Sequence, residues 1–197
     1  MSAYASTNSN ATTTNNPATT TFINSSTTST NNHTADTANA VSSDNELADQ
    51  SIEDLKQGIA DKHPLNYFIL AAKLFNEGSF DEAVKWYYVG QIRFRAYLEA
   101  NPDLEQSDDP ALFYALRYSL GTPINQYAGQ NVDNWARLIE EAYKWHSDNP
   151  NGFTPKSSHK QIYQEIESGM LELRDYVLEN KEEIRRQRAE NGLNNSH

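Results

Sequence analysis

The stretch Gly78-Ser79-Phe80-Asp81-Glu82-Ala83-Val84-Lys85-Trp86-Tyr87-Tyr88-Val89-Gly90 decides the fold. A glycine breaker is followed by Ser79 and, three residues on, by Glu82, the S-x-x-E pattern of a capping box. From there Phe80, Ala83, Val84, Tyr87, Phe94 and Leu98 recur on one helical face. Trp86, Val89, Ile92 and Tyr97 fall elsewhere on the cylinder. A helix that is apolar on most sides is a central, buried one. It is predicted over 80–100, ending at Asn101-Pro102. Gly90 costs about 1 kcal/mol relative to Ala in a helix interior. It shares the Ala83/Tyr87/Phe94 face, so a neighbouring helix is expected to approach closely there.

Toward the N-terminus, Pro64 suits the first turn of a helix over 64–77, with Leu65, Phe68, Ile69, Ala72 and Phe75 as its apolar set. Ser51 with Asp54 reads as the cap of a short helix over 51–60. Toward the C-terminus, Asp109-Pro110 reads as a cap and first-turn proline for a helix over 110–120, with Gly121 expected at its C′ position. One helical turn fits within 122–129. Asn131 caps a helix over 132–147 whose stripe is Trp135, Leu138, Ile139, Ala142 and Trp145. Asp148-Asn149-Pro150-Asn151-Gly152 is a turn. A last helix opens near Ser158 and runs to Asn180 or Ala189, with a break possible at Asn180. The expectation is an all-α fold of about six helices in a compact bundle.

Residues 71–90 resemble a tetratricopeptide (TPR) helix pair. Gly78-Ser79-Phe80 is similar to the family's turn. Ala83 matches the small residue where the two helices touch, and Tyr87 the aromatic one turn later. Leu74 stands where the family usually has an aromatic, the closing Pro102 comes late, and no second copy follows at a 34-residue period. The resemblance implies one TPR-like hairpin over about 64–100 rather than an array. It implies packing geometry and no particular ligand.

The flanks differ sharply from this centre. Between Met1 and Asp44, 28 of 44 residues are Ser, Thr or Asn, with no Lys, Arg or Gly. Such a composition cannot bury enough apolar surface to offset its chain entropy. Residues 1–50 are therefore expected to be a disordered tail, and 51–193 one helical domain. The net charge is −11. Setting aside the tail's Asp36, Asp44, Glu46 and Asp49 leaves 16 bases against 23 acids. That balance offers nothing to neutralise a nucleic acid or an anionic membrane. With no Cys there is no disulfide and no thiolate chemistry. No apolar run suits a membrane span, a secretory signal or an Arg-rich presequence, so a cytoplasmic location is expected.

No residue pattern points to catalysis. His63, His146 and His159 have no metal-ligand spacing, and no phosphate loop or nucleophile elbow occurs. His146 falls in the last turn of its helix, where the dipole favours a cation. Glu140-Glu141, Glu182-Glu183 and Glu165/Glu172 read as solvated acidic faces. Arg185, Arg186 and Arg188 suit a helix C-terminus, with Glu182 placed to pair with Arg186. No catalytic residue, cofactor or metal is assigned.

The aromatics are the informative excess: 3 Trp, 11 Tyr and 7 Phe. Tyrosine hydroxyls need a partner or water, and Tyr and Arg are enriched at interfaces. Tyr88, Arg93, Arg95, Tyr97, Tyr114, Arg117, Tyr118 and Tyr127 are expected to line a binding face on the third and fourth helices and the adjacent loop. The function expected is a non-enzymatic protein- or peptide-binding module, an adaptor or bacterial immunity-like protein. The competing reading is a small hydrolase or lyase, with His63, Tyr127 or His146 set against a carboxylate between helices. A third is an oligomer built on an exposed Met170/Leu173/Tyr176/Val177 stripe. Composition leaves the oligomeric state open.

Overall fold

A computed structural model describes residues 50–195. Apart from Gln50, the expected disordered tail lies outside the described residues. Those residues are all-helical, with no strand among them. In order they form α1 (Ile52–Lys56), a 3-10 turn (Ile59–Asp61), α2 (Leu65–Asn76), α3 (Phe80–Ala100), α4 (Asp109–Ser119), α5 (Gly121–Ala128), α6 (Val132–Asp148), α7 (Lys160–Glu179) and α8 (Lys181–Glu190). The number exceeds the six expected because 121–128 is a helix in its own right and the last helix is two. The break falls at Asn180, whose side-chain amide and backbone N–H both donate to the Tyr176 carbonyl. No helix of the described residues is long and apolar enough to cross a membrane.

The turn at Gly78 is built differently from the predicted capping box. Gly78 has φ +83°, and its N–H donates to the Phe75 carbonyl at 3.1 Å while Ser79 N–H donates to Leu74 at 2.9 Å. That pair is a Schellman motif closing α2. Ser79 makes no side-chain cap bond to α3. Glu82 instead accepts from Trp86 Nε1 at 3.1 Å and pairs with Lys56 of α1 at 2.7 Å. The box does form at α1, where Ser51 and Asp54 bond reciprocally.

α3 is the centre. α2, α4, α5, α6 and α7 all pack on it, and α7 also lies along α6. Ala83, Val84, Val89, Ile92, Phe94 and Ala96 are fully buried. Gly90 is where α2 crosses: a Cβ there would lie 3.0 Å from both Phe68 Cε2 and Tyr67 Cβ. The glycine's propensity cost is thus offset by a close helix approach.

Gly121 does not end α4 at a C′ position; it opens α5. Its missing side chain answers a neighbour instead, since a Cβ would lie 2.3 Å from the Tyr87 hydroxyl. Asp109 is also not a cap. It is the first residue of α4, and its carboxylate is taken by Tyr97. Asn131 does cap α6, accepting from Asn134 N–H at 3.0 Å.

α7 turns its apolar residues inward. Met170 and Val177 are buried in the common core, and Leu173 packs against it. The exposed oligomer stripe is therefore absent from this face; Tyr176 and Leu178 alone of that region stand out. α8 is tied back by Lys181 to Asp133 and by buried Arg188, which lies against Gly129 at the end of α5 and also holds the following Asn194 carbonyl and Asn195 side chain.

Candidate functional site

The eight residues expected to share a binding face separate into three groups. Tyr88 and Arg93 are in the core and line no surface. Tyr88 is 2% exposed; its hydroxyl donates to Asn125 Oδ1 at 3.0 Å and accepts from Trp135 Nε1 at 2.8 Å. Arg93 is 1% exposed. Its two terminal nitrogens donate to the carbonyls of Ala60 and Asn149 at 3.3 and 3.2 Å, and its guanidinium lies over the rings of Tyr67 and Trp145. The physical reason is the all-round burial of α3, which takes in an arginine whose stem packs and whose head finds carbonyls.

Tyr97 and Tyr127 form the second group, each half-buried and committed to an aspartate. Tyr97 donates to Asp109 at 2.8 Å, and burial together with that carboxylate pushes its phenol up to about 12. Tyr127 donates to Asp81 at 2.9 Å, and burial, then Asp81, raises its phenol. Asp81 also receives Asn134 and Arg137, joining the start of α3 to α5 and α6.

The third group stays together at the surface. Tyr114 and Tyr118 of α4 are 65% and 82% exposed, one helical turn apart. Between them Arg117 lies over the Phe113 ring at 5.6 Å. Arg95 of α3 feels Arg117, and against it Glu99 and Tyr114. Burial, and then the Arg117 charge, hold its guanidinium down to about 10. Arg95 is itself engaged in a further contact. α4 presents this face because Phe113 is buried against α3 and Leu112, Leu116 and Leu120 pack on the core, leaving positions 114 and 118 outward.

Each candidate acid–base residue meets a carboxylate of another element: His63 meets Asp109, His146 meets Glu167 and Tyr127 meets Asp81. His63 Nδ1 accepts the Leu65 N–H at 3.2 Å, so the ring proton sits on Nε2, 3.5 Å from Asp109 Oδ2. The rings of Phe94, Tyr97 and Phe153 pack edge-on around it. Burial lowers its pKa more than Asp109 raises it.

His146 is not the helix-end cation that its position favours. It is fully buried against Tyr163, and burial, with Lys156 and Arg93 nearby, pushes it down to about 2. The neutral ring meets Glu167 at 3.2 Å through Nε2, and buried Nδ1 has no partner. The cation at this helix end is Lys156, which donates to the carbonyls of His146 and Ser147. Sequence reading missed Lys156 as a cap, because the turn at 148–152 carries it back from ten residues away.

A neighbouring polar knot fixes the same loop. Asn151 donates to the Tyr163 hydroxyl, which donates to the Thr154 carbonyl, both at 2.7 Å. The paired acids are likewise spoken for: Glu140 with Arg174, Glu141 with Arg137, Glu182 with Arg185 and Glu183 with Arg186. An open depression on α7 is lined by Gln164, Glu165, Ser168, Gly169 and Glu172; it includes the Glu165/Glu172 pair and none of His63, His146 and Tyr127. No group of three or more metal-ligating side chains occurs among the described residues.

No family model matches the chain. It is similar to an uncharacterized protein of Haemophilus influenzae, 28% identical over 146 residues, which covers 66% of this chain and 56% of that protein. The chain thus spans a little over half of that relative's length. No solved structure matches.

Proposed function

We propose that the chain is a non-enzymatic protein-binding module that works through the outer face of α4. The observation that carries this reading is the exposure of Tyr114 and Tyr118 either side of Arg117. Large aromatics flanking an arginine are the composition of interface hot spots, where rigid rings supply contact area at little entropic cost. The α2–α3 hairpin serves as a TPR-like frame that holds α4 in place. The commitment of His63, His146 and Tyr127 to internal partners supports binding over acid–base chemistry. An adaptor, or an immunity-type protein that covers a partner's surface, fits this arrangement.

The test is affinity purification of the full chain from the cells that make it, beside the Tyr114→Ala/Tyr118→Ala double variant. Both tyrosines are solvent-exposed, so the double variant keeps the wild-type melting curve. A stoichiometric partner lost from the double variant supports the reading. A partner retained by it, or no partner with either protein, sinks it.

A further inference from the structure

We propose that His63 is an acid-operated latch: while its ring is neutral it holds the start of α2 against α4 and the loop of Phe153, and when the ring takes up a proton it lets that start go. The device is independent of what the α4 face binds.

The nitrogen that holds is the nitrogen that titrates. Nδ1 accepts the Leu65 N–H at 3.2 Å, and a backbone amide only donates, so Nδ1 carries no proton. Nε2 bears the ring's proton already, which leaves Nδ1 as the place for an incoming one. Protonation therefore sets two N–H groups against each other and takes the acceptor from the first turn of α2. Histidine is the side chain whose ordinary value, 6.5, puts this event close to neutrality.

The groups around the ring set the direction. Phe94 and Tyr97 of α3 and Phe153 of the loop stand edge-on to it, with centroids 5.5, 5.2 and 4.9 Å away. Asp109 of α4 lies 3.5 Å from Nε2, and the same oxygen, Oδ2, already receives the Tyr97 hydroxyl at 2.8 Å. Neighbouring charges turn elsewhere: Lys62 to the carbonyls of Asp54 and Leu55, Asp61 to Gly152, and Arg93 to the carbonyls of Ala60 and Asn149. Asp109 favours the imidazolium, burial opposes it, and burial is the larger effect. The folded ring thus binds its proton less readily than an unfolded one. Its hold is complete above about 6.5 and is given up as the pH falls below that. Phe153 is exposed and the His63 side chain is 28% exposed, so the ring reaches water by a local opening rather than by unfolding of the bundle.

The test follows amide hydrogen exchange of the full chain by NMR at pH 7.5 and 5.5, each residue's protection being taken relative to the unstructured rate at that pH. Leu65 is expected to lose at least tenfold in protection at pH 5.5 relative to Ile92, which is buried in the middle of α3. His63→Asn supplies a side-chain carbonyl that accepts an N–H at a helix start and takes up no proton. In that variant Leu65 should keep the same protection relative to Ile92 at both pH values. Ring-nitrogen NMR of the wild type serves if the variant misfolds: Nδ1 should be unprotonated at pH 7.5 and should titrate over the range in which Leu65 loses protection. No change at Leu65, a fall shared equally with Ile92, the same fall in His63→Asn, a protonated Nδ1 at pH 7.5, or a titration that does not track Leu65 overturns the latch.

Discussion

Arg93 ties three parts of the chain together. From the middle of α3 it reaches the carbonyl of Ala60 after α1 and that of Asn149 at the end of α6, between the rings of Tyr67 and Trp145. Arg93→Ala would take the side-chain donor from the Asn149 carbonyl, leave the Ala60 carbonyl with Gly152 N–H alone, and open a void between two rings. The expected loss is about 3 kcal/mol, read as a lowered urea midpoint. Arg93→Lys should recover under half of it, since an ammonium lacks the fork that spans both acceptors.

His146 gives the second residue-scale prediction. Its pKa is 6.5 in the unfolded chain and about 2 when folded, so the unfolded state binds the extra proton. Its contribution is therefore complete above 6.5 and is lost as pH falls from there toward about 2. In that window it steepens the loss of stability by about 1.4 kcal/mol per pH unit. Urea midpoints of wild type and His146→Gln between pH 7.5 and 4.5 should converge as the pH drops. Parallel curves would refute a buried neutral ring.

Among the elements, α2 and α5 depend on two glycines for opposite reasons. Gly78 needs its backbone: at φ +83° an L side chain is strained, though nothing lies within 4 Å of a Cβ. Gly78→Ala should cost about 1 kcal/mol, and Gly78→Asn less. Gly121 needs its space, which the Tyr87 hydroxyl occupies. Gly121→Ala should cost about 1–3 kcal/mol. Tyr87→Phe removes the clashing oxygen, so a double-mutant cycle should show most of that cost recovered. Additive costs would mean that some other atom is responsible.

At the scale of the whole molecule, residues from α1 through α7 share one contiguous apolar cluster. Trp86 and Trp145, with ring centroids 4.8 Å apart, sit within or against it. Unfolding should therefore be one event. Tryptophan fluorescence and far-UV circular dichroism should trace the same urea transition, and separated midpoints would show that part of the bundle melts alone.

The local signals in the sequence carried the elements a long way. Breakers and apolar periodicity placed α2, α3, α4, α6 and α7 within a few residues, and the all-round apolarity of 80–100 marked α3 as central. Gly90 was legible too, because a glycine on an apolar helix face has few other uses. The candidate site was half legible. Tyr114, Arg117 and Tyr118 keep company because positions three and four apart share a helix face. Tyr88 and Arg93 had the same composition and a different fate, set by which sides of α3 the other helices cover.

By itself the sequence determined the helical class, the central helix and the residues from which a binding face could be drawn, since these follow from periods and propensities within a few turns. Only the tertiary structure decided which arginines were buried and which histidine was neutral. It also decided which cation caps α6 and that Gly121 serves Tyr87 rather than a helix end. Those outcomes turn on burial and on partners ten to fifty residues away, and chain spacing does not encode such distances.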